Sequence, residues 1–222
     1  MLRKILLVCG VLSSLLYLAM NVFVAMQWEG YSSVSQTISE LSAIDAPTRS
    51  LWVPLGIVYA LLLIAFGWGV QGSTRTSRSL RVTGALLIAN GLFGLGWPPM
   101  HQREVLAAGG GTLTDTMHIV WSTATVLLTM LTIGFGAAAL GKRFRRYSIA
   151  TMAILVVFGV LTGMDAPGVQ ANLPTPWLGV WERIMVAVDM LWVAVLAVTL
   201  LRVHDTAAVH ARTIPNQLLR SV

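Results

Sequence analysis

The stretch "LGVWERIMVAVDMLWVAVLAVTLL", from Leu178 to Leu201, decides the fold of this chain. It is apolar along almost its whole length, and its only charged residues are Glu182, Arg183 and Asp189. A helix of about 20 mostly apolar residues crosses the hydrocarbon core of a bilayer, which is about 30 Å thick. Backbone polar groups in lipid must be satisfied within the segment, so the stretch predicts a transmembrane helix.

Five further apolar runs of similar character precede it, which fits a chain that is 56% hydrophobic and 11% charged. The mean hydropathy of +0.75 is far above that of a soluble domain. We therefore predict an all-α, polytopic membrane protein that forms a single domain over residues 1–222. The six predicted transmembrane helices span approximately residues 5–26, 51–70, 82–97, 117–140, 147–164 and 178–201. Residues 31–46 form an outer segment that includes a short amphipathic helix, and residues 202–222 form a cytoplasmic tail.

The basic residues predict the orientation of the six helices. Twelve of the 15 lysines and arginines fall on one side of the six-helix path, and only Arg49, Arg103 and Arg183 fall on the other. This positive-inside bias places both termini in the cytoplasm and predicts a multi-pass protein of the plasma membrane. The net charge of +6 follows from the same bias, so we expect no nucleic-acid partner.

The predicted outer segment and the proline after it read "YSSVSQTISELSAIDAP", Tyr31 to Pro47, which is rich in serine and poor in large apolar residues. Val34, Ile38 and Leu41 recur within it at helical spacing, which predicts an amphipathic helix. Asp45 precedes Ala46 and Pro47, and proline disfavours the helical conformation of the residue before it. Two interpretations are open: a solvated connector, or a cap that folds over a cavity open to the outside.

The same segment resembles the signature of a bacterial integral-membrane family known as domain of unknown function 998. The matching positions are Ser35, Ser39, Glu40 and Leu41, which resemble an "S-x-x-I-S-E-L" outer motif. His118 in "DTMHIVWS" resembles a histidine that opens the fourth helix, and "GVWERI" also falls where the family has a glycine, a polar pair and an arginine. The resemblance implies about six helices and no particular reaction.

Polar residues within the fourth and sixth runs indicate candidate sites. Asp115 opens the fourth run, where an acid also stabilises a helix N-terminus by about 0.3–1 kcal/mol. His118 shares its face, and a stripe of hydroxyls follows: Ser122, Thr125, Thr129 and Thr132. Such a stripe faces protein or water rather than lipid, and because hydroxyls can bond to their own backbone, a packed helix interface is the preferred explanation.

Asp189 lies near the centre of the sixth run, where an aspartate costs roughly 2.5–3.5 kcal/mol to insert. It therefore needs a partner or a proton, and the candidate neighbours are Asn90 and the face of Thr125 and Thr129. Glu182 lies seven residues earlier and on the same face. A structural polar lock and a role in handling substrate or protons are both open.

Three features bear on ligands and partners. Six of the eight tryptophans map to the outer half, which predicts either an aromatic-lined pocket or a one-sided interfacial belt. We expect no cofactor and no metal, with His118, Glu182 and Asp115 as a weak alternative metal site. Gly159 and Gly163 form a small-residue motif that permits close helix contact, within the bundle or in a homo-oligomer.

Two function classes follow. The first is a non-catalytic protein that binds membrane lipid or another hydrophobic ligand in a cavity facing outward. The second is an intramembrane enzyme acting on a lipid or isoprenoid substrate by acid-base chemistry, as a hydrolase or in the manner of a terpene cyclase. The catalytic candidates are Asp189, His118 and Glu182. The ligand-binding candidates are Ser35, Ser39, Glu40, Asp115, Arg183, Trp97, Trp121 and Trp181.

Overall fold

The computed structural model describes residues 1–73 and 77–218, with side chains described up to residue 203. All regular structure in these residues is helical, and they contain no strand. The helices are α1 (Leu2–Ala25), a 3-10 helix (Ile38–Ser42), α2 (Arg49–Gly72), α3 (Arg78–Leu95), α4 (Arg103–Ala107), α5 (Leu113–Ala139), α6 (Lys142–Gln170) and α7 (Leu178–Leu218).

Five of the long helices, α1, α2, α5, α6 and α7, are long and apolar enough to cross a membrane. The sixth, α3, has 18 residues, and at 1.5 Å per residue it is about 27 Å long. Arg78, Arg81 and Asn90 lower its hydropathy. A membrane-type helical protein is therefore clear from the fold, whereas a count of six membrane crossings remains a prediction.

The long helices form a ring in chain order. Each packs against the next along the chain, α3 is followed by α5, and α7 returns to pack against α1. Because short links join most neighbours, consecutive helices run antiparallel and bury their apolar faces against each other. The segment 31–46 lies across one end of this ring, which we call the cap end.

The half of the bundle away from the cap end is a packed apolar core centred on α7. Trp192 is fully buried there, and its indole Nε1 donates to Ser148 Oγ at 2.9 Å. Its ring packs against Phe144, and a methyl group added at Gly136 would lie 2.6 Å from Trp192 Cζ2. Small and large side chains therefore interlock across α5, α6 and α7.

Glycines allow α2 and α3 to pack at close range. A Cβ added at Gly84 would lie 2.8 Å from the carbonyl oxygen of Gly67, and one at Gly91 would lie 2.9 Å from that of Ala60. Backbone atoms cannot move away from such a contact as a flexible side chain could. This close packing holds α3 in the ring despite its lower hydropathy.

Several predicted boundaries differ from the structure. Helix α6 extends through the predicted loop to Gln170, so Asp165 lies within it rather than after it. Helix α7 continues to Leu218, so the predicted tail at 202–222 is helical over its described part, and residues 219–222 lie outside the described residues. The predicted amphipathic helix is a 3-10 helix of five residues, and Val34 is exposed on a turn rather than buried with Ile38 and Leu41.

Candidate functional site

The cap is residues 31–46, and its local fold follows from a capping box. Thr37 Oγ1 accepts from the Glu40 backbone N–H at 3.3 Å, and Glu40 Oε2 accepts from the Thr37 backbone N–H at 2.6 Å. This reciprocal pair starts the helical turn at Ile38. The turn places Ile38 and Leu41 against apolar side chains of α1 and α2, where both are buried.

Glu40 and Arg103 form a buried ion pair across the cap. Arg103 Nε lies 2.6 Å from Glu40 Oε1, and Arg103 Nη2 lies 2.9 Å from Glu40 Oε2. The remaining guanidinium hydrogen bonds go to Thr175 Oγ1 and to the carbonyl of Ser35. Glu40 is 2% exposed and Arg103 is 8% exposed, so the pair depends on these hydrogen bonds to offset its desolvation.

Helix α7 holds the cap from the side through two adjacent residues. Glu182 Oε2 accepts from the backbone N–H of Ile38 at 2.6 Å. Arg183 Nη1 donates to the carbonyls of Ser33 and Gln36, and its Nη2 donates to Tyr31 Oη at 2.7 Å. Burial raises the pKa of Tyr31 to about 12, so its hydroxyl stays protonated and donates to the Thr37 carbonyl.

The cap encloses a small polar cavity beside the ion pair. Its volume is ≈ 50 Å³, and it is lined by Trp28, Gln36, Glu40, Gln102, Arg103 and Glu104. A single water needs roughly 10–15 Å³ by this kind of measure. The cavity therefore has room for a few waters and not for a lipid chain.

A second polar cluster lies at the start of α5. Asp115 Oδ1 accepts from the backbone N–H of His101 at 2.7 Å, and its Oδ2 lies 2.9 Å from His101 Nδ1. Asp115 also completes a capping box with Thr112. His118 is buried, with its Nδ1 2.8 Å from the Pro98 carbonyl oxygen and its ring edge-on to Trp97. Asp115 and His118 therefore both have their hydrogen-bond partners within residues 98–112.

Asp189 occupies a different environment, in the middle of α7. Residues at spacings of four and seven share a helix face, so Leu178, Glu182, Asp189 and Leu196 lie along one side of α7. Leu178 and Leu196 are fully buried, whereas Ala187, Leu191 and Val198 on the opposite side are exposed. Asp189 and Glu182 are only partly buried although they lie on the buried face. They therefore lie on the side of α7 that faces the other helices.

No hydrogen bond to the Asp189 carboxyl occurs among the described residues. It lies within electrostatic range of three tyrosines on other helices, Tyr17, Tyr59 and Tyr147. The predicted link to Asn90 or Thr125 is not formed. Asn90 Nδ2 donates instead to Thr132 Oγ1 at 3.3 Å, and Thr125 Oγ1 has no partner in the described part of the chain.

The pattern seen at Asp189 recurs on the other long helices. Each carries a polar residue on its buried face that is itself only partly buried, namely Tyr17, Tyr59, Asn90, Thr125 and Thr162. Thr125, for example, lies seven residues from both His118 and Thr132, which are buried. Three of these residues carry buried oxygens without a hydrogen-bond partner: Asn90 Oδ1, Thr125 Oγ1 and Thr162 Oγ1. We call these five residues, with Glu182 and Asp189, the interior polar set.

The structure thus separates the predicted site residues into three places. Glu40, Glu182 and Arg183 meet at the cap, together with the backbone of Ser35, while Ser39 contributes its carbonyl to Ser42 Oγ. Asp115 and His118 contact residues 97–101, and Asp189 lies farther from the cap, in the middle of α7. Hydrogen bonds and ion pairs of the described residues do not join His118 to Glu182 or Asp189.

Arg103 is a residue of the candidate site that sequence reasoning missed. The sequence places Arg183 among the ligand-binding candidates and gives no role to Arg103. Arg103 lies in the short helix α4 and forms the ion pair with Glu40, whereas Arg183 binds carbonyls and a hydroxyl. The available signal was the position of Arg103, one of only three basic residues on its side of the predicted membrane.

The metal alternative finds no support in the described part of the chain. No group of three or more histidine, cysteine, aspartate or glutamate side chains there could hold an ion. His118, Glu182 and Asp115 belong to different clusters, as described above.

The remaining candidates are aromatic and glycine residues. Trp121 stacks on Phe93 and donates its Nε1 to the Phe93 carbonyl, and Trp181 packs between Phe158 and Trp177. A Cβ at Gly159 would lie 3.5 Å from Met185 Sδ, whereas one at Gly163 would have no atom within 4 Å. Gly159 therefore faces α7, and a homo-oligomer contact through Gly159 and Gly163 remains a prediction.

Comparison with known proteins gives one finding beyond the geometry. The model of a family described as "Protein of unknown function (DUF998)" matches residues 11–199, from within α1 to the middle of α7. No curated protein and no solved structure matches the chain. The match includes the cap, both polar clusters and the interior polar set, so this chain is a member of the DUF998 family.

Proposed function

We propose that this protein is a non-catalytic plasma-membrane protein that binds a lipid or another hydrophobic ligand inside the cap half of its bundle. The polar end of the ligand lies against Glu182 and Asp189, and both chain termini lie in the cytoplasm. The observation that carries the proposal is Asp189, a carboxyl in mid-helix that faces the other helices and has no hydrogen-bond partner among the described residues.

The energetics of Asp189 favour a ligand over a structural lock. A carboxyl in mid-membrane costs roughly 2.5–3.5 kcal/mol, and a structural role would recover that cost through a protein partner. Asn90 and Thr125, the candidate partners, do not bond to it. An intramembrane carboxyl without a protein partner is the usual mark of a site that meets a ligand or a proton.

The interior polar set supports a chamber between the cap and the Trp192 core. Its residues come from all six long helices and are partly accessible on faces that otherwise are buried. The oxygens of Asn90, Thr125 and Thr162 that have no partner among the described residues are themselves fully buried, so they are unsatisfied acceptors inside the bundle rather than atoms that line the chamber. Trp121 and Trp181 lie near the same end, and we assign Trp97, Trp121 and Trp181 to the apolar part of the ligand.

The bonding of the ionisable groups favours binding over catalysis. An acid-base enzyme needs at least two ionisable groups within reach of one substrate atom. Here Glu40 is fully engaged by Arg103 and its own turn, and Asp115 is engaged by His101. His118 is hydrogen-bonded to the Pro98 carbonyl, and it lies on α5 whereas Glu182 lies on α7. We therefore place Ser35, Ser39, Glu40 and Asp115 in the cap and its support, and the ligand contacts on α7.

Native mass spectrometry with lipidomics on purified protein tests this proposal. We expect wild-type protein to retain a ligand that Asp189→Asn loses, with the two proteins equally folded by thermal unfolding. Glu29→Gln is the matched control, because Glu29 is an exposed carboxyl at the same end of the bundle, and it should retain the ligand.

Two results would contradict the proposal. One is the same set of bound molecules on wild type and Asp189→Asn. The other is failure of Asp189→Asn to fold when Glu29→Gln folds normally, because that result would assign Asp189 a structural role.

A further inference from the structure

We propose that a groove between α2 and α3, at the end of the bundle opposite the cap, binds the anionic headgroup of a phospholipid. We call it the α2–α3 groove, and it is lined by Gln71, Arg78, Arg81, Val82 and Ala85. This site is independent of the proposed function, because the ligand proposed above lies in the cap half of the bundle.

The size of the α2–α3 groove fits a lipid headgroup. It is open to the surface and has a volume of ≈ 430 Å³. Ligand sites in proteins commonly have volumes of about 300–1,000 Å³. The cavity of ≈ 50 Å³ at the cap is too small for such a group.

The close packing of α2 on α3 brings the lining residues together. A Cβ added at Gly84 would lie 2.6 Å from Gln71 Cγ, so the absence of a side chain at Gly84 lets Gln71 lie against the backbone of α3. Residues at spacings of three, four and seven share a helix face, so Arg81 and Ala85 lie on the same face of α3 as Arg78. The groove therefore combines two guanidinium groups with an apolar surface.

The two arginines of the groove are available to a ligand. Arg78 and Arg81 are exposed, and within the described part of the chain neither guanidinium has a hydrogen-bond or ion-pair partner. By contrast, Arg49, Arg103 and Arg183 at the cap end all donate to protein oxygens.

The charge at this end of the bundle also favours an anion. The run Lys142–Arg146 adds four basic residues at the same end. The acidic residues among residues 1–203 all lie at the cap end or in the middle of α7, namely Glu29, Glu40, Asp45, Glu104, Asp115, Asp165, Glu182 and Asp189. Within residues 1–203, therefore, no carboxylate competes with a ligand for the arginines of the groove.

A phospholipid suits the groove better than a soluble anion does. Guanidinium groups form paired, charge-assisted hydrogen bonds with phosphate oxygens, and α3 begins at Arg78 with the positive end of its dipole. Val82 and Ala85 offer an apolar surface to an acyl chain, and Trp68, three residues before Gln71, is 58% exposed, as is typical of side chains at a membrane interface. In the proposed orientation this end meets the cytoplasmic leaflet, where anionic lipids are concentrated.

Native mass spectrometry of the full-length protein in detergent tests the site. The probe is an equal mixture of dioleoylphosphatidylglycerol and dioleoylphosphatidylcholine, which differ in headgroup charge and not in their chains. We expect wild type to retain phosphatidylglycerol in preference to phosphatidylcholine. The double variant Arg78→Gln with Arg81→Gln should reduce that preference about tenfold or more, because it removes the charge-assisted hydrogen bonds.

The matched control is Arg143→Gln with Arg146→Gln, which removes the same charge from exposed positions at the same end but outside the groove. Its preference should equal that of wild type at about 0.15 M ionic strength, where charges farther apart than about 8 Å are largely screened. A second variant, Ala85→Trp, fills the groove without removing a charge, and it should also lose the preference. Ala85→Trp decides the question if the double arginine variant does not fold.

Three results would overturn the proposal. One is an equal preference for phosphatidylglycerol in wild type and in the folded groove variants. Another is an equal loss in the control variant, because diffuse attraction to the basic end would then explain the binding. The third is displacement of phosphatidylglycerol by inorganic phosphate at equal concentration, which would assign the groove to a free anion. Each of these results leaves the ligand proposed for the cap half unaffected.

Discussion

Glu40 and Arg103 are 63 positions apart in sequence and form one buried pair at the cap. Removing one partner of such a pair leaves an uncompensated charge, at a cost of about 3–5 kcal/mol. We therefore expect Glu40→Gln to lower the protection of residues 35–42 in hydrogen-deuterium exchange strongly. Glu29→Gln, at an exposed position, should leave that protection unchanged.

The double variant Glu40→Gln with Arg103→Gln tests whether the two residues act as a pair. It should be less destabilised than the sum of the two single variants, because neither charge is then left alone. Additive losses would contradict a direct pair. Exchange in wild-type residues 35–42 as rapid as in the Gly109–Gly111 loop would contradict a packed cap altogether.

At the scale of single residues, the sequence identifies the polar and charged residues of the candidate site more readily than it identifies which of them contact each other. The Ser-Glu-Leu motif and the charged residues of α7 stand out in the sequence because polar residues beside apolar runs are costly. Arg103 does not, because its partner is fixed by α4 and the cap, which no helical periodicity links. That Asp189 has no partner among the described residues likewise depends on which side chains of other helices reach it.

At the scale of helices, α2 and α3 provide the sharpest test of packing. A methyl group at Gly84 would approach the backbone of Gly67, so Gly84→Ala should destabilise the protein by about 1–3 kcal/mol through overpacking. The measurement is thermal unfolding in detergent. Gly134→Ala is the matched control, since a Cβ at Gly134 has no atom within 4 Å, and it should be neutral or slightly stabilising.

An equal loss of stability in Gly84→Ala and Gly134→Ala would show that a general effect of the added methyl group, rather than the α2–α3 contact, lowers the stability.

The helices themselves were predictable because an apolar run in lipid has few alternatives to a helix. The cap was predictable as a buried element from Ile38 and Leu41. Its 3-10 form was not, because the capping box tightens a turn too short for the 3.6-residue period to show.

At the scale of the whole molecule, cysteine labelling in intact cells tests the proposed orientation. Single cysteines in place of Val34 and Gln170, in a Cys9→Ser background, should react with an impermeant reagent. A cysteine in place of Lys142 should not. Val34, Gln170 and Lys142 are all exposed in the structure. Reaction at Lys142 alone would reverse the assignment of both termini.

The ring of helices was only partly predictable. Short links between apolar runs favour antiparallel neighbours, which is what the structure has. The closure of α7 onto α1 joins the two ends of the chain and depends on packing that no local pattern encodes. That closure brings Glu182 and Asp189 of α7 near Tyr17 of α1.

The cap also has a consequence for the order of synthesis. Its supports come from the far end of the chain: the hydrogen bonds from Thr175 to Ser35, from Ile38 to Glu182 and from Arg183 to Ser33 span 140, 144 and 150 positions. A ribosome delivers residues 31–46 long before it delivers α7. Residues 31–46 therefore lack these hydrogen-bond partners while four long helices are synthesised. The last helix to be inserted, α7, is the one that completes the packing of the cap.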